Sequence, residues 1–302
     1  MDILRDTKID FIGKRYYAFA LSAILSLLGI IAAILIPMGK ANLGIDFTGG
    51  VAVQFKFEKS FAIEDARKLL ENEGFKDAEI QQFAEGNRLL IRLKKAEGEL
   101  KAASDKLTEI FTTGFAGNRF AIESTTAVGP TVGQKLQKDA LWAVAISLLG
   151  ILLYVAWRFE LIFGIAAVIA TFHDVLAVLG IFYALNKEIN LLIITALLTL
   201  AGYSLTDTVV VFDRIRENLR KRGKEILEGL INRSINEVLS RTIVTSGTVL
   251  LVLVALLIAG GEVIHDFSLA LFLGVLGGTY SSIFVASPLL LIWKGRRGKL
   301  IR

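Results

Sequence analysis

One stretch of the sequence, Leu191–Phe212 (LLIITALLTLAGYSLTDTVVVF), is apolar along its length apart from a few hydroxyl groups and one carboxylate, Asp207. At about 1.5 Å per residue, a helix of this length crosses the roughly 30 Å hydrocarbon core of a bilayer. A charged group in such a helix is costly and is usually retained for function. The stretch therefore predicts a membrane-spanning helix that carries a functional carboxylate.

Further runs of similar length and character are Tyr16–Ile36, Ala140–Trp157, Leu161–Asn186, Thr242–Gly261 and Phe267–Trp293. Hydrophobic residues make up 54% of the chain, above the roughly 45–50% of ordinary soluble domains. The first run is longer than the apolar part of a signal peptide and no small-x-small site follows it, so we interpret it as an uncleaved helix. The sequence thus predicts a polytopic α-helical membrane protein with six transmembrane helices.

The composition excludes several kinds of site. The chain has no cysteine and only two histidines, His173 and His265. Disulfide frameworks, thiolate metal sites, iron–sulfur clusters and cysteine nucleophiles are therefore excluded, and a histidine-rich metal centre is disfavoured. We expect no metal ion and no cofactor.

The basic residues predict the orientation in the membrane. They concentrate before the first span, between the fourth and fifth spans and after the sixth, while the links after the third and fifth spans carry few of them. By the positive-inside rule, both termini are cytoplasmic. Topology then explains the net charge of +5, and a nucleic-acid partner is left without support.

The predicted domain order follows from these runs. It is a cytoplasmic N-terminus (1–15), transmembrane helix 1 (16–37), an extracytoplasmic α+β domain (38–138), transmembrane helices 2–6 (139–293) with a basic cytoplasmic loop (213–240), and a basic cytoplasmic tail (294–302).

The segment 38–138 has the pattern of a folded domain. Alternation typical of strands occurs at Val51–Phe57, Glu79–Ala84, Arg88–Lys94 and Arg119–Thr126, with helical spacing at Ile63–Glu73 and Leu100–Phe111 and a turn at Glu85–Asn87. This βαββαβ order is the ferredoxin-like arrangement. Because the segment lacks histidine, cysteine and any clustered catalytic pattern, we expect a binding or mechanical module.

The sequence Gly44–Gly50 (GIDFTGG) leads into the first predicted strand. We interpret Gly44, Gly49 and Gly50, with Asp46 among them, as a turn that needs unusual backbone angles. The motif lacks the Lys-Ser/Thr ending of a phosphate-binding loop, so nucleotide binding is unsupported.

Asp174 lies near the middle of the third span, where a charge is costly. Two interpretations stay open: a functional carboxylate, or a protonated side chain that is hydrogen-bonded to a neighbouring helix. His173 precedes it. Since neighbours on a helix point about 100° apart, we do not expect these two side chains to face each other.

The helix that carries Asp207 has polar or small residues on several sides. One stripe, at spacings of four, three and four, consists of Thr195, Thr199, Gly202 and Thr206. This pattern predicts a helix inside a bundle rather than against lipid. Arg241 opens the fifth span, where it either extends to the cytoplasmic interface or pairs with a buried carboxylate on the fourth span.

The sixth span carries a ladder of small residues: Ala270, Gly274, Gly278, Ser282 and Ala286. A ladder with this spacing allows another helix to approach closely. The pattern leaves open whether that helix belongs to this chain or to another.

An intramembrane hydrolase is one alternative, because His173, Ser204 and Asp207 supply the residue types of a catalytic triad. Gly202–Leu205 lacks the second glycine of a nucleophile elbow. We therefore expect that the protein is not an enzyme.

Six motifs, in order along nearly the whole chain, resemble those of the SecF family, the smaller subunits of the bacterial SecD–SecF complex that assists the Sec translocase. They are Gly44–Gly50 (GIDFTGG), Val128–Gly133 (VGPTVG), Phe172–Asp174 (FHD), Gly202–Asn218 (GYSLTDTVVVFDRIREN), Ser240–Ser246 (SRTIVTS) and Gly278–Pro288 (GTYSSIFVASP). One departure is Thr206, where family members often have asparagine, and we expect it to affect hydrogen bonding near Asp207.

This resemblance implies a fold like one half of an RND-superfamily protein and a role, with SecD, in coupling the proton motive force to late steps of preprotein translocation. It implies that Asp207 and Arg241 take part in proton transport, and Asp174 is a further candidate. The implied partners are SecD, the SecYEG translocon, YajC or YidC, translocating preproteins and the lipid of the bacterial inner membrane. The proton gradient takes the place of a cofactor.

Two alternative functions stay open. An RND-like exporter of hydrophobic solutes usually carries a second set of six spans and two large outer domains, neither of which occurs in this sequence. A non-conducting scaffold for SecD would tolerate replacement of Asp207 and Arg241 while the complex still assembles.

Overall fold

The computed structural model describes residues 7–76, 78–83, 87–94, 100–221 and 225–297. The N-terminal residues 1–6, the Glu85-Gly86 part of the predicted turn and residues 298–302 of the predicted tail lie outside the described residues. The chain divides into two compact units. The helical unit comprises Met1–Asn42, Ala143–Lys187 and Leu192–Arg302, and the sheet unit comprises Leu43–Trp142 and Glu188–Leu191.

The α-helices are, in chain order, α1 (Arg15–Leu35), α2 (Ile45–Thr48), α3 (Ile63–Asn72), α4 (Leu100–Gly114), α5 (Pro130–Arg158), α6 (Leu161–Ala184), α7 (Leu191–Arg220), α8 (Leu227–Ala259), α9 (Gly261–Ser281) and α10 (Ser287–Arg297). A π-helical turn, Ser282–Ala286, joins α9 to α10. The strands are β1 (Gly50–Phe57), β2 (Glu79–Gln82), β3 (Arg88–Lys94) and β4 (Phe120–Val128).

Six helical segments of the described chain are long and apolar enough to cross a membrane. They are Arg15–Leu35, Pro130–Arg158, Leu161–Ala184, Leu191–Arg220, Leu227–Ala259 and Ile264–Trp293. The prediction of six hydrophobic helices is confirmed.

The segment 213–240, predicted as a loop, is helical over most of its length because α7 runs on to Arg220 and α8 begins at Leu227. Polar pairs join the two helices beyond their apolar parts. Arg214 Nε lies 2.6 Å from Glu237 Oε2, and Asn218 Nδ2 donates to Ser234 Oγ at 2.9 Å. Hydropathy detects only the apolar part of a helix, so these extensions were not visible in it.

Two glycines allow α1 and α6 to touch along their backbones. A Cβ atom on Gly29 would lie 2.2 Å from the carbonyl oxygen of Leu176, and one on Gly180 would lie 2.6 Å from the amide nitrogen of Gly29. Small residues permit this close approach, and van der Waals packing drives helix association in lipid.

The sheet unit contains a four-stranded antiparallel sheet in the order β2-β3-β1-β4. The inward face of β1 carries Val51, Val53, Phe55 and Phe57, all with at most 1% exposure, as their alternation predicts. The helices α3 and α4 pack on this face through Leu70, Leu107 and Phe111, among others. The prediction of a small α+β arrangement with an antiparallel sheet is confirmed.

The Gly44–Gly50 motif forms the single-turn helix α2 followed by two glycines with positive φ, 72° at Gly49 and 140° at Gly50. These are the unusual backbone angles that the glycine pair predicts, since side chains disfavour this region.

Candidate functional site

Asp174 lies on α6 and is completely buried. Its Oδ2 atom accepts hydrogen bonds from the hydroxyl of Ser204 on α7 (2.5 Å) and from that of Ser281 at the end of α9 (2.7 Å). Burying a carboxyl group is costly unless hydrogen bonds satisfy it. The two hydroxyls do so from two different helices, so Asp174 links α6 to α7 and α9.

The imidazole of His173 is a third partner of Asp174. Its Nδ1 lies 3.0 Å from Asp174 Oδ1, so the prediction that these side chains do not face each other is wrong. Successive helical residues diverge by about 100°, but rotation about the side-chain bonds brings the ring back over the carboxyl group. The Nε2 atom of His173 is buried without a hydrogen-bond partner among the described residues.

Asp207 on α7 is also buried, at 5% exposure, and its partners are hydroxyls. Its Oδ2 lies 3.0 Å from Ser246 Oγ on α8 and 3.3 Å from Thr279 Oγ1 on α9, and those two hydroxyls lie 2.7 Å from each other. Each hydroxyl has one proton to donate. These three oxygens form three close pairs, but while Asp207 is ionised only two hydroxyl protons are available to them. One of the three pairs is therefore always without a hydrogen bond.

The small-residue ladder of the sixth span packs against α7 of the same chain. A Cβ on Gly274 would lie 2.5 Å from Leu200 Cδ1, and one on Gly278 would lie 3.0 Å from Ser204 Cβ. This answers the question that the ladder left open. Close packing at these glycines holds α9, and with it Thr279 and Ser281, against the helix that carries Asp207.

The π-helical turn lies directly after these hydroxyls. Its first residue, Ser282, lies 2.8 Å from the hydroxyl of Thr208 on α7 and donates to the carbonyl of Gly278 at 2.9 Å. Ser287 Oγ donates to the carbonyl of Ser282 across this turn at 2.8 Å. Single π-helical turns inside α-helices are frequent at functional sites.

Arg241 interacts with Asp207 electrostatically but makes no direct contact with either buried carboxylate. It is exposed, and within the described part of the chain no carboxylate oxygen lies within 4.0 Å of its side-chain nitrogens. Thr245 and Thr248, on its face of α8, donate their hydroxyl protons to carbonyls of α8 itself. A pair between Arg241 and Asp207 is therefore not formed in this structure.

The stripe Thr195, Thr199, Gly202 and Thr206 lies on the exposed side of α7. The opposite side of the same helix buries Ser204, Asp207 and Thr208, so α7 belongs to a bundle although this stripe is uncovered. The hydroxyl of Thr206 donates to the carbonyl of Gly202 (3.3 Å) rather than to the surroundings of Asp207.

The hydrogen bonds do not assemble a hydrolase triad. Ser204 donates its proton to Asp174, not to His173, and Asp207 is bonded to Ser246 and Thr279. Among the described residues, no group of three or more His, Asp or Glu side chains could hold a metal ion.

Sequence reasoning missed the hydroxyl donors Ser246, Thr279 and Ser281. All three lie inside the motifs Ser240–Ser246 and Gly278–Pro288, but hydroxyls at these spacings also occur in ordinary helix packing. Their role becomes visible only when the helices that carry them are placed side by side.

Comparison with known proteins gives consistent matches. A family model described as protein export membrane protein SecD/SecF, C-terminal, matches residues 109–296, and one for the SecD/SecF GG motif matches residues 35–60. A protein translocase subunit SecF from Thermodesulfovibrio yellowstonii is 53% identical over 294 residues, which are 97% of each chain. A subunit SecF from Desulfurispirillum indicum is 46% identical over 97% of this chain and 94% of its own length.

The chain is also similar to a part of larger proteins. A protein translocase subunit SecDF from Thermus thermophilus is 41% identical over 97% of this chain and 40% of its own length. The crystal structure of SecDF from that organism matches with a TM-score of 0.83 at 39% identity, over 96% of this chain and 39% of that one. The chain thus spans about two fifths of the SecDF proteins that it matches.

Proposed function

Because the chain belongs to the SecD/SecF family of protein export membrane proteins, we propose that it uses protons bound at Asp207 to assist late steps of preprotein translocation together with SecD. It is a multi-pass protein of the bacterial inner membrane with an accessory role in the Sec protein translocase. The observation that carries the proton-coupling proposal is the buried set of Asp207, Ser246 and Thr279.

This set accommodates a proton well. With Asp207 ionised, two hydroxyl protons serve three close pairs; with Asp207 protonated, three protons serve the same three pairs. Hydroxyl groups both donate and accept, so they can satisfy either form without a change of partner. A cation in direct contact with Asp207 would instead favour the ionised form alone. Among the described residues Arg241 acts on Asp207 only at longer range, without an ion-pair contact.

Arg241 is proposed to pair with Asp207 in a second conformation of the protein, in which Asp207 is ionised. We assign the present geometry, in which Arg241 and Asp207 are separate, to the protonated form of Asp207. Loss of the proton leaves a buried negative charge, which attracts the guanidinium of Arg241, at the start of the apolar part of α8. Formation and release of this pair would move α7 and α8 relative to each other once per proton.

The energy available from one proton sets the scale of the change. One charge that crosses the full membrane field provides about 2.3 kcal/mol per 100 mV, which biases a two-state equilibrium about 50-fold. That suffices to shift a repacking of helices and not to unfold a domain. The π-helical turn after Thr279 is a suitable place for such repacking, because conversion between π and α turns shifts the helical register.

Asp174 is proposed as a second proton-coupling carboxylate. It shares α7 and α9 with the Asp207 site through Ser204 and Ser281. Rearrangement of either helix would therefore alter the hydrogen bonds of both carboxylates.

The orientation is also part of the proposal. We place both termini in the cytoplasm and the predicted domain 38–138, with its ferredoxin-like βαββαβ order, outside. The support is the charge distribution and the element order β1-α3-β2-β3-α4-β4 within the sheet unit.

SecD is the partner with direct support, since related chains combine SecD and SecF in one protein. The exposed stripe on α7 and the exposed Arg241 face of α8 fit this partner, because polar groups in a membrane require cover by protein. SecYEG, YajC or YidC and preproteins are proposed as further partners. We propose that no cofactor other than the proton gradient takes part and that the protein is not an enzyme.

The experiment compares Asp207→Asn with Asp213→Asn in vesicles that contain the complete complex. Asp213 is a matched control because it lies on the same helix in an exposed ion pair with Arg158 (3.3 Å). Proton flux and preprotein export should fall in Asp207→Asn alone, with assembly intact. Undiminished export in that variant supports the scaffold alternative, and normal export combined with reduced efflux of a hydrophobic solute supports the exporter.

A further inference from the structure

The Gly44–Gly50 motif is fixed to the sheet by its last residue. Gly50 begins β1, and a Cβ atom there would lie 2.1 Å from the carbonyl oxygen of Leu93 on β3. Its φ of 140° also disfavours any side chain. The end of the motif is therefore a rigid part of the sheet.

The middle of the motif packs on the first turn of α5. A Cβ atom on Gly49 would lie 3.0 Å from Cα of Pro130, and one on Gly133 would lie 2.9 Å from the carbonyl oxygen of Phe47. This backbone-to-backbone contact explains why glycines recur in both the GIDFTGG and the VGPTVG motifs. The motif is therefore closely packed against the first turn of α5.

The beginning of the motif holds the short link between α6 and α7. The Gly44 amide donates to the carbonyl of Ile189 (2.9 Å), and Leu43 forms a parallel bridge with the same residue. Asp46 Oδ2 accepts a hydrogen bond from the amide of Leu191, the first residue of α7 (3.0 Å). A carboxylate suits this position because the first amides of a helix lack partners and carry partial positive charge.

A second attachment of the link is an ion pair with the sheet. Arg92 Nε on β3 lies 3.0 Å from Glu188 Oε2, and the two side chains are only 18% and 12% exposed. Burial raises the pKa of Glu188, while Arg92 opposes that effect. A Cβ on Gly44 would lie 2.4 Å from Glu188 Oε1, so the glycine makes room for this carboxylate.

We infer that Gly44–Gly50 is the joint that transmits movement of the α6–α7 link to the sheet, with Asp46 and the Arg92–Glu188 pair as its positioning residues. The inference rests on the proposed function, because the link joins the helices that carry Asp174 and Asp207. Backbone contacts fasten the motif to the sheet and to α5, whereas two carboxylates fasten the link to the motif and the sheet. Removing a carboxylate should therefore loosen the link and leave the rest intact.

The test uses Asp46→Ala in the full complex, with Glu71→Ala on the exposed side of α3 as the control. Three quantities are measured: amide exchange of residues 188–192, proton flux and preprotein export. We expect exchange about fivefold to tenfold faster, as for the loss of a helix cap, with export reduced severalfold and proton flux retained. Asp46→Asn keeps an acceptor oxygen, so its amide exchange rate and its preprotein export should lie between those of Asp46→Ala and the wild type.

The outcomes separate the possibilities. The inferred role of the joint would be overturned by any of three results for Asp46→Ala. These are unchanged amide exchange, faster amide exchange with normal export, and equal losses of proton flux and export with intact assembly. Amide exchange does not depend on proton coupling, so it reports on the attachment of the link even if the proposed function is wrong. Failure of the joint is therefore distinguished from failure of the proposed function. A second pair of variants, Glu188→Gln and Arg92→Gln, should show the same loss of export, and the double variant should be no worse than either single one.

Discussion

The hydroxyl of Ser246 on α8 lies 3.0 Å from the carboxylate of Asp207 on α7. Through this contact the protonation state of Asp207 is linked to the position of α8 relative to α7. Thr279 on α9 completes the set, so three adjacent helices share one protonatable site.

Replacement of Ser246 tests this relationship. Ser246→Ala removes one of two donors to Asp207, and the loss of such a hydrogen bond costs about 1 kcal/mol. We expect proton flux to fall about fivefold with assembly unchanged. Thr248→Ala is the control, because its hydroxyl is exposed and donates to the carbonyl of Thr245; equal effects of both variants would contradict a specific role for Ser246.

Glycine packing predicts an order of stabilities. Gly29→Ala would place a methyl group 2.2 Å from a backbone oxygen on α6, whereas Gly202→Ala meets nothing within 4 Å. Overpacking of this kind costs about 1–3 kcal/mol, so Gly29→Ala should lower the melting temperature of the purified protein and Gly202→Ala should not. Melting curves in one detergent decide this, and a stable Gly29→Ala variant would refute the close packing of α1 on α6.

Gly202 also tests the partner surface. Since a Cβ on Gly202 meets no atom within 4 Å, Gly202→Trp should leave this chain folded and yet prevent the approach of SecD helices to the stripe on α7. We expect SecD to be lost on co-purification. Ile258→Trp, at a position that is 82% exposed on α8, should retain SecD, and retention by both variants would place the interface elsewhere.

The pKa of Glu188 predicts a pH dependence of stability. Burial raises this pKa above its ordinary value of 4.5, so the folded protein keeps a proton that the unfolded chain releases. The resulting stabilisation is present below pH 4.5 and is lost as pH rises through the raised pKa. Glu188→Gln should remove this part of the pH profile, as measured by melting temperature from acidic to neutral pH; identical profiles would contradict the raised pKa.

Much of this architecture could be predicted from the sequence, because length and hydropathy determine which helices can cross a membrane and alternation determines which strand face is buried. The unusual backbone angles at Gly49 and Gly50 could also be predicted, since glycine adopts positive φ more readily than any other residue. The contact between His173 and Asp174 could not, because it depends on side-chain rotation rather than on helical spacing.

The hydroxyls around Asp207 could not be predicted for a different reason. Ser246 and Thr279 come from helices that are distant in sequence, and only packing through Gly274 and Gly278 brings them together. The separation of Arg241 from Asp207 belongs to one conformation of the chain, which a residue pattern does not specify.

Infrared difference spectroscopy of the membrane-embedded complex detects whether a proton binds at Asp207. On acidification, one component of the carboxylic-acid carbonyl band should be absent from the difference spectrum of Asp207→Asn and present in those of the wild type and Asp213→Asn. A spectrum of Asp207→Asn identical to that of the wild type would show that Asp207 does not bind the proton.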